Sequence, residues 1–206
     1  MCYRYWADDS PEIHEIVTEM NKSPLVRKWQ IATGITTYGE VKPTNVVPVI
    51  ATNRNGSRSV FPMKWGFQCK SLLVNARSET AASKPTFKDA WFSHRCIVPA
   101  SWYFEWEHHT GADGKKRTGD KYLIQPKNSS MTWLCGLYRI EENLPVFVIL
   151  TREPTEEIRF IHDRMPLIMP EKYIGEWIKP DAKPDELVRN AVTEMIYEKV
   201  ASEQRL

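Results

Sequence analysis

The sequence lacks any long apolar run, and none approaches the roughly 20 residues that a membrane-spanning helix needs. The initial segment MCYRYWADDSPE also has no apolar stretch of the kind found in signal peptides. We therefore expect a soluble, cytoplasmic protein without a membrane partner.

Paired cysteines are also missing. The four cysteines are scattered, with no Cys-x-x-Cys pair and no Cys/His cluster at metal-ligand spacing. A chain of 206 residues can bury roughly 70% of its unfolded surface on folding, so it needs neither disulfides nor a structural metal for stability. We predict no disulfide, no metal and no cofactor.

The chain also lacks a strong net charge, since its formal net charge at pH 7 is only +2. This excludes a uniformly basic nucleic-acid binder but leaves room for a local basic groove. Residues 54–95 carry a local charge of +6, offset by −4 in the rest of the chain. Aromatic residues interleave this stretch, namely Trp65, Phe67, Phe87, Trp91 and Phe92. The stretch is either a phosphate-binding and base-stacking groove or a solvated surface over ordinary core aromatics.

Apolar periodicity predicts helices at the flanks and strands in the middle of the chain. An N-cap candidate at Ser10, followed by Pro11 and helically spaced apolar residues, predicts a helix over 11–21. We expect further helices over 154–161 and 170–178 and a helical start after Pro184, whereas MIYEKV near the end fits helix or strand.

Short runs rich in β-branched and aromatic residues predict the strands: VVPVIAT, RSVFPM, LLVNA, RCIVPA, WYFEWE, KYLIQP, TWLCGLYR and PVFVILT. NRNGS is a predicted turn and HHTGADGKKRTGD a predicted exposed hairpin tip. The fold class is α+β: a single domain over 1–206 with a mostly antiparallel, partly closed β-sheet or barrel core flanked by helices.

Cys2 is the most reactive candidate, because removal of Met1 would expose an α-amine beside its thiol. An α-amine has a pKa near 7.7–8, so a useful fraction is nucleophilic at neutral pH. Such an amine forms a Schiff base with an aldehyde, and the neighbouring thiol can then close a five-membered thiazolidine ring.

Three further positions carry groups suited to this chemistry. Glu105 lies in WYFEW on the strand face of Tyr103, where burial would raise its pKa and suit it to general acid/base catalysis. Asn75 and Arg77, after the apolar run LLV, are candidates for a neutral orienting amide and a phosphate clamp. His162 in FIHDRMP is a candidate proton shuttle.

Four motifs in order resemble the SOS response-associated peptidase (SRAP) family: Met1-Cys2, NARSET, RCIVPA followed by WYFEW, and VILT followed by IHDRMPLIM. The resemblance covers about 1–170. It implies autoproteolytic removal of Met1 and covalent capture of abasic sites in single-stranded DNA, by a monomer that associates with the nucleoid when bound to DNA.

The resemblance also implies a role for each residue. Cys2 would be the nucleophile, Asn75 would orient its amine, and Glu105 would be the acid/base for methionine release and imine formation. His162 would assist deoxyribose ring opening and reversal of the crosslink. The expected DNA contacts are Arg4, Arg77, Pro43, Phe67, Thr151 and Arg164.

Two other functions remain open at the level of sequence. One is a cysteine peptidase or amidase with Cys2, His162 and Asn75 as nucleophile, base and orienter. The other is a non-catalytic single-strand-binding module that uses residues 54–95.

Overall fold

The computed structural model describes residues 2–110 and 113–201, and Met1 lies outside this range. The strands are β1 Arg4–Ala7, β2 Gly39–Val41, β3 Val46–Thr52, β4 Arg58–Trp65, β5 Phe67–Gln68, β6 Leu72–Leu73, β7 Asn75–Arg77, β8 Arg95–Ala100, β9 Trp102–Thr110, β10 Lys116–Pro126, β11 Thr132–Glu141, β12 Leu144–Arg152, β13 Met165–Pro166 and β14 Met195–Lys199. The helices are α1 Pro11–Met20, α2 Leu25–Ala32, α3 Ser78–Ala81, α4 Pro85–Ser93, α5 Ile174–Trp177 and α6 Pro184–Leu187, with 3₁₀ turns at Glu156–Ile158, Glu171–Tyr173 and Val188–Asn190.

Five strands close into a barrel in the order β11-β8-β3-β4-β12, with β12 pairing back onto β11. The β4–β12 contact is parallel and the other four are antiparallel. β7 also joins β12 in parallel, with Asn75 opposite Ile149. Closure leaves these five strands without a free edge and fixes the position of β7.

A second, antiparallel sheet has the order β14-β10-β9-β1-β2 and packs on the barrel. Side chains alternate along the barrel strands, so that Phe147 and Ile149 of β12 face this sheet whereas Val148 faces the helices. Because both sides of the wall are covered there, the buried parts of the barrel strands are nearly continuous apolar runs, as in β3 and β12. This architecture confirms the predicted α+β class and the barrel core.

The capping signal at Ser10 is confirmed. Its hydroxyl accepts a hydrogen bond from the Ile13 amide at 3.3 Å, and Pro11 is the first residue of α1. Ile13, Ile16 and Met20 are buried against the barrel at helical spacing.

The predicted strand runs are all present, and the ambiguous MIYEKV segment forms β14. The helices predicted over 154–161 and 170–178 are shorter than expected, with a 3₁₀ turn in the first and a 3₁₀ turn plus α5 in the second. Helices α2 and α4 were not predicted. The HHTGADGKKRTGD tip joins β9 to β10 as expected, although its residues 111 and 112 lie outside the described range.

The aromatic residues of 54–95 belong mainly to the core, which corrects the base-stacking interpretation of this stretch. Trp65, Phe67, Phe87 and Trp91 are buried, and Phe92 alone of the five is exposed. Of the two interpretations of this stretch, these four rings therefore fit ordinary core aromatics and not a base-stacking groove.

Arg95, counted in the same basic stretch, is also buried. Its guanidinium donates to the carbonyls of Trp91 at 2.6 Å and Trp177 at 2.8 Å, and to those of Lys179 and Ala182. Burial lowers the pKa of this side chain. Its role in this fold is to tie the C-terminal segment to the barrel, and it offers no charge to a surface ligand.

Candidate active site

Cys2 is fully buried in the core between the barrel and the second sheet. The strand that follows it, β1, pairs with β9 so that Arg4 lies opposite Phe104 and Tyr5 opposite Tyr103. This register brings the Cys2 end of β1 to Glu105, the residue that follows Phe104.

Asn75 holds Cys2 directly. Its side-chain Nδ2 donates a hydrogen bond to the carbonyl oxygen of Cys2 at 2.9 Å. Its Oδ1 is buried and accepts no hydrogen bond from the described part of the chain. The amide is thus fixed at one end, with an acceptor available beside Cys2 at the other.

The thiol of Cys2 is strongly protonated in this environment. Burial raises its pKa, and the neighbouring Glu105 carboxylate raises it further. The Sγ atom lies 3.9 Å from the Arg4 carbonyl, as a weak donor. A thiol in this state is a poor nucleophile until a base removes its proton.

Glu105 is only 4% exposed, on the same face of β9 as the buried Tyr103. Burial raises the pKa of Glu105 to about 7. The sequence-based predictions of its face and its raised pKa are both confirmed. A carboxyl group with this pKa can both donate and accept a proton near neutral pH.

His162 is neutral at pH 7, because burial lowers its pKa to about 4. Its Nδ1 accepts a hydrogen bond from the Arg164 amide at 3.0 Å. The exposed Asp163 carboxylate lies 2.7 Å from the same Nδ1 and forms an ion pair only when the ring is protonated. The His108 ring centroid is 4.6 Å away.

A cavity of about 830 Å³ brings Glu105, His162, Arg77 and Arg164 together. Arg77 is exposed at the end of β7, whereas Cys2 and Asn75 lie behind the cavity and connect to it through Glu105. Four of the residues chosen from sequence therefore share one cavity.

Two of the predicted DNA contacts are held by carboxylates. Arg164 forms a two-pronged pair with Glu79, each N–O distance being 2.8 Å, and donates to the Thr151 carbonyl. Arg4 pairs with Glu40 at 2.9 Å. Glu79 was missed at the level of sequence, because 85 residues separate it from its partner.

Three other predicted contacts lie away from the cavity lining. Phe67 and Thr151 are fully buried and present no surface to a ligand in this conformation, which corrects both predictions. Phe67 fails as a base-stacking residue because it packs in the core against Phe87. Pro43 is half-buried in the turn between β2 and β3 and stays a prediction.

Among the described residues, no helix is long and apolar enough to cross a membrane. Within the same residues, no cluster of three His, Cys, Asp or Glu side chains has the arrangement of a metal site.

Solved structures with the same fold include a Bacteroides thetaiotaomicron protein, with a TM-score of 0.73 at 22% identity over 98% of this chain and 93% of that one. A phage-related protein of Bordetella bronchiseptica gives a TM-score of 0.71 at 20% identity over 98% and 95%.

Among curated proteins, the abasic site processing protein YoaM of Bacillus subtilis is 32% identical over 168 residues, which is 72% of each chain. The abasic site processing protein YedK of Escherichia coli is 27% identical over 66% of this chain and 64% of its own. The family model described as SOS response associated peptidase (SRAP) matches residues 1–204. Because this model spans nearly the whole chain, the chain belongs to the SRAP family.

Proposed function

We propose that this protein processes abasic sites in DNA by capturing them covalently through Cys2, in single-stranded DNA and as a monomer. The relatives named abasic site processing proteins support the substrate class. The observation that carries the mechanism is the anchored Cys2: Asn75 donates a hydrogen bond to its carbonyl, and the Glu105 carboxylate lies near enough to raise the pKa of its thiol.

The reaction begins once Met1 is removed, and Met1 itself lies outside the described residues. The free amine of Cys2 attacks the aldehyde carbon of the ring-opened abasic sugar and gives a carbinolamine. Glu105 protonates the hydroxyl group, and water leaves to form the protonated imine. The Cys2 sulfur then bonds to the imine carbon and the thiol proton passes to the Glu105 carboxylate, so that aldehyde and aminothiol yield thiazolidine and one water and Glu105 regains its proton.

The electrostatics support this order of attack. With its pKa raised by burial, the Cys2 thiol is protonated at neutral pH, whereas an α-amine with a pKa near 7.7–8 is partly free. The amine is therefore the first nucleophile, and Glu105 becomes the base for the thiol after it has given up its own proton. Asn75 would position the amine through its available Oδ1.

The same features argue against a cysteine peptidase. Such an enzyme needs a thiolate paired with a histidine base, but the environment of Cys2 opposes ionisation of the thiol. His162 is neutral, and because a neutral imidazole carries one ring N–H it suits a proton donor to the sugar oxygen during ring opening.

The test is incubation with a single-stranded oligonucleotide that contains one abasic site, followed by a denaturing gel. We expect a heat-stable adduct with the wild type. Cys2→Ser retains an amine but not the thiol, so it should give an adduct only when borohydride reduces the imine. The half-buried Cys69 provides a matched control, Cys69→Ser, which should crosslink normally.

Intact-mass measurement completes the test, because only chains that have lost Met1 carry the reactive amine. Loss of Met1 in the wild type but not in Glu105→Gln would support self-cleavage. Absence of an adduct from chains shown to lack Met1 would overturn the proposal.

A further inference from the structure

Phe160 presents an exposed aromatic ring in the cavity that contains Glu105 and His162. The residue is 47% exposed and lines the cavity two positions before His162. Tyr197, 46% exposed, lies against it. The proposed crosslinking chemistry makes no use of either ring.

Neighbouring aromatic rings fix the position of Phe160. Its ring centroid lies 5.2 Å from that of Tyr197 and 5.6 Å from that of Tyr122, both at steep interplanar angles. The Ile161 carbonyl, next in the chain, accepts a hydrogen bond from the His108 amide of β9 at 3.1 Å. The ring is thus held by edge contacts and a backbone tie, while much of its surface stays open to the cavity.

An abasic nucleotide changes the stacking of its neighbours. The missing base leaves the adjacent base with one face unstacked, and an aromatic side chain can cover that face whatever the base is. The same cavity carries the exposed Arg77, and no carboxylate among the described residues pairs with its guanidinium. Such a cation suits a phosphate close to the lesion.

We propose that Phe160 is the stacking platform for the base adjacent to the abasic nucleotide. This inference rests on the proposed function and identifies the part of the substrate beside the reacting sugar. Tyr197 and Tyr122 are positioning residues for the Phe160 ring. The ring thereby takes the base-stacking role for which the sequence had suggested the buried Phe67.

The experiment measures equilibrium binding without chemistry. The probe is a fluorescent single-stranded oligonucleotide that contains tetrahydrofuran, an abasic analogue without an aldehyde, and anisotropy gives the Kd. We expect Phe160→Ala to weaken binding roughly 5- to 100-fold, as loss of one base–aromatic stack would. Phe160→Trp should bind as tightly as the wild type or more tightly, whereas Phe160→Leu should resemble the alanine variant.

A second probe replaces the base on one side of the analogue by another tetrahydrofuran, first on the 5′ and then on the 3′ side. If Phe160 stacks on that base, Phe160→Ala weakens binding to the single analogue but not to one of the two double analogues. Equal Kd values for wild type and Phe160→Ala on the first probe, or equal losses on all three probes, would overturn the inference.

Phe92 supplies a matched control, because it is 46% exposed on α4 and does not line this cavity. Phe92→Ala should leave the Kd unchanged. The two proposals fail separately: lack of an adduct with an aldehyde-containing oligonucleotide counts against the crosslinking function, whereas lack of coupling to a flanking base counts against Phe160 alone.

Discussion

The Asn75 side chain donates a hydrogen bond to the Cys2 carbonyl at 2.9 Å, across 73 residues of chain. The contact is possible because β7 is fixed by its parallel pairing with β12 of the barrel, whereas β1 is fixed by β9 of the second sheet. The candidate nucleophile therefore depends on how these two sheets pack together.

Asn75→Asp should abolish this anchor, because a carboxylate cannot donate to a carbonyl. We expect the crosslinking rate to fall about 100-fold, as a misplaced reacting group would cause, and the unfolding free energy to fall by about 1–2 kcal/mol. Single-turnover gels and urea melts measure the two effects. The control is Asn53→Asp in the β3–β4 turn, where a carboxylate can still accept from the backbone amides and from the Ser59 hydroxyl, to which the Asn53 amide now donates. A normal rate in Asn75→Asp would remove Asn75 from the mechanism.

The pKa of Glu105, about 7, predicts the pH dependence of crosslinking. The protonated acid is lost above this value, while the free amine increases toward its own pKa near 7.7–8, so the wild-type rate should peak at about pH 7.5. Glu105→Gln should be slower by about 10²- to 10⁴-fold and should rise steadily with pH. Rates measured from pH 5 to 9 test this, with Glu107→Gln on the same strand as the control. A bell-shaped profile retained in Glu105→Gln would contradict the assignment.

His162 should make stability fall in mild acid. Its pKa is about 4 in the folded chain and about 6.5 when unfolded. Below pH 6.5 the unfolded state binds the proton first, so the unfolding free energy should decrease by about 3 kcal/mol as the pH falls to 4. His162→Asn keeps an acceptor for the Arg164 amide and should reduce this decrease, whereas His14→Asn on α1 should not. Parallel slopes for His162→Asn and the wild type would refute the prediction.

Arg95 should be among the most sensitive positions for stability. Its planar guanidinium group donates to the carbonyls of Trp91, Trp177 and Lys179 at once. The single ammonium group of a lysine cannot reproduce this geometry. We expect Arg95→Lys to cost about 2–4 kcal/mol in urea unfolding. The exposed Arg58, paired with Glu19, supplies the comparison, and Arg58→Lys should cost less than about 1 kcal/mol. Similar losses at the two positions would mean that the buried carbonyls find other donors.

Local pattern was sufficient to predict α1, the strand runs and the burial of Glu105, since caps and side-chain alternation depend on neighbouring residues. Helix α4 was missed because its apolar residues Phe87, Ala90 and Trp91 form a short, weak helical pattern. Two contacts could not be predicted: the pairing of β4 with β12 that closes the barrel, and the ion pair of Glu79 with Arg164. Each joins residues about 80 positions apart, and no local sequence pattern encodes a contact of that kind.

The register of β1 against β9 has a consequence during synthesis. Arg4 of β1 lies opposite Phe104 of β9, which the ribosome adds 100 residues later. At 5–20 residues per second, β1 can pair with β9 only after a delay of about 5–20 s. Throughout that interval β1 can pair with β2, where Tyr5 lies opposite Val41, but its other edge has no partner strand and Cys2 is accessible to N-terminal processing. In the complete fold Cys2 is fully enclosed, so a crosslink formed there would be shielded from proteases by the folded protein.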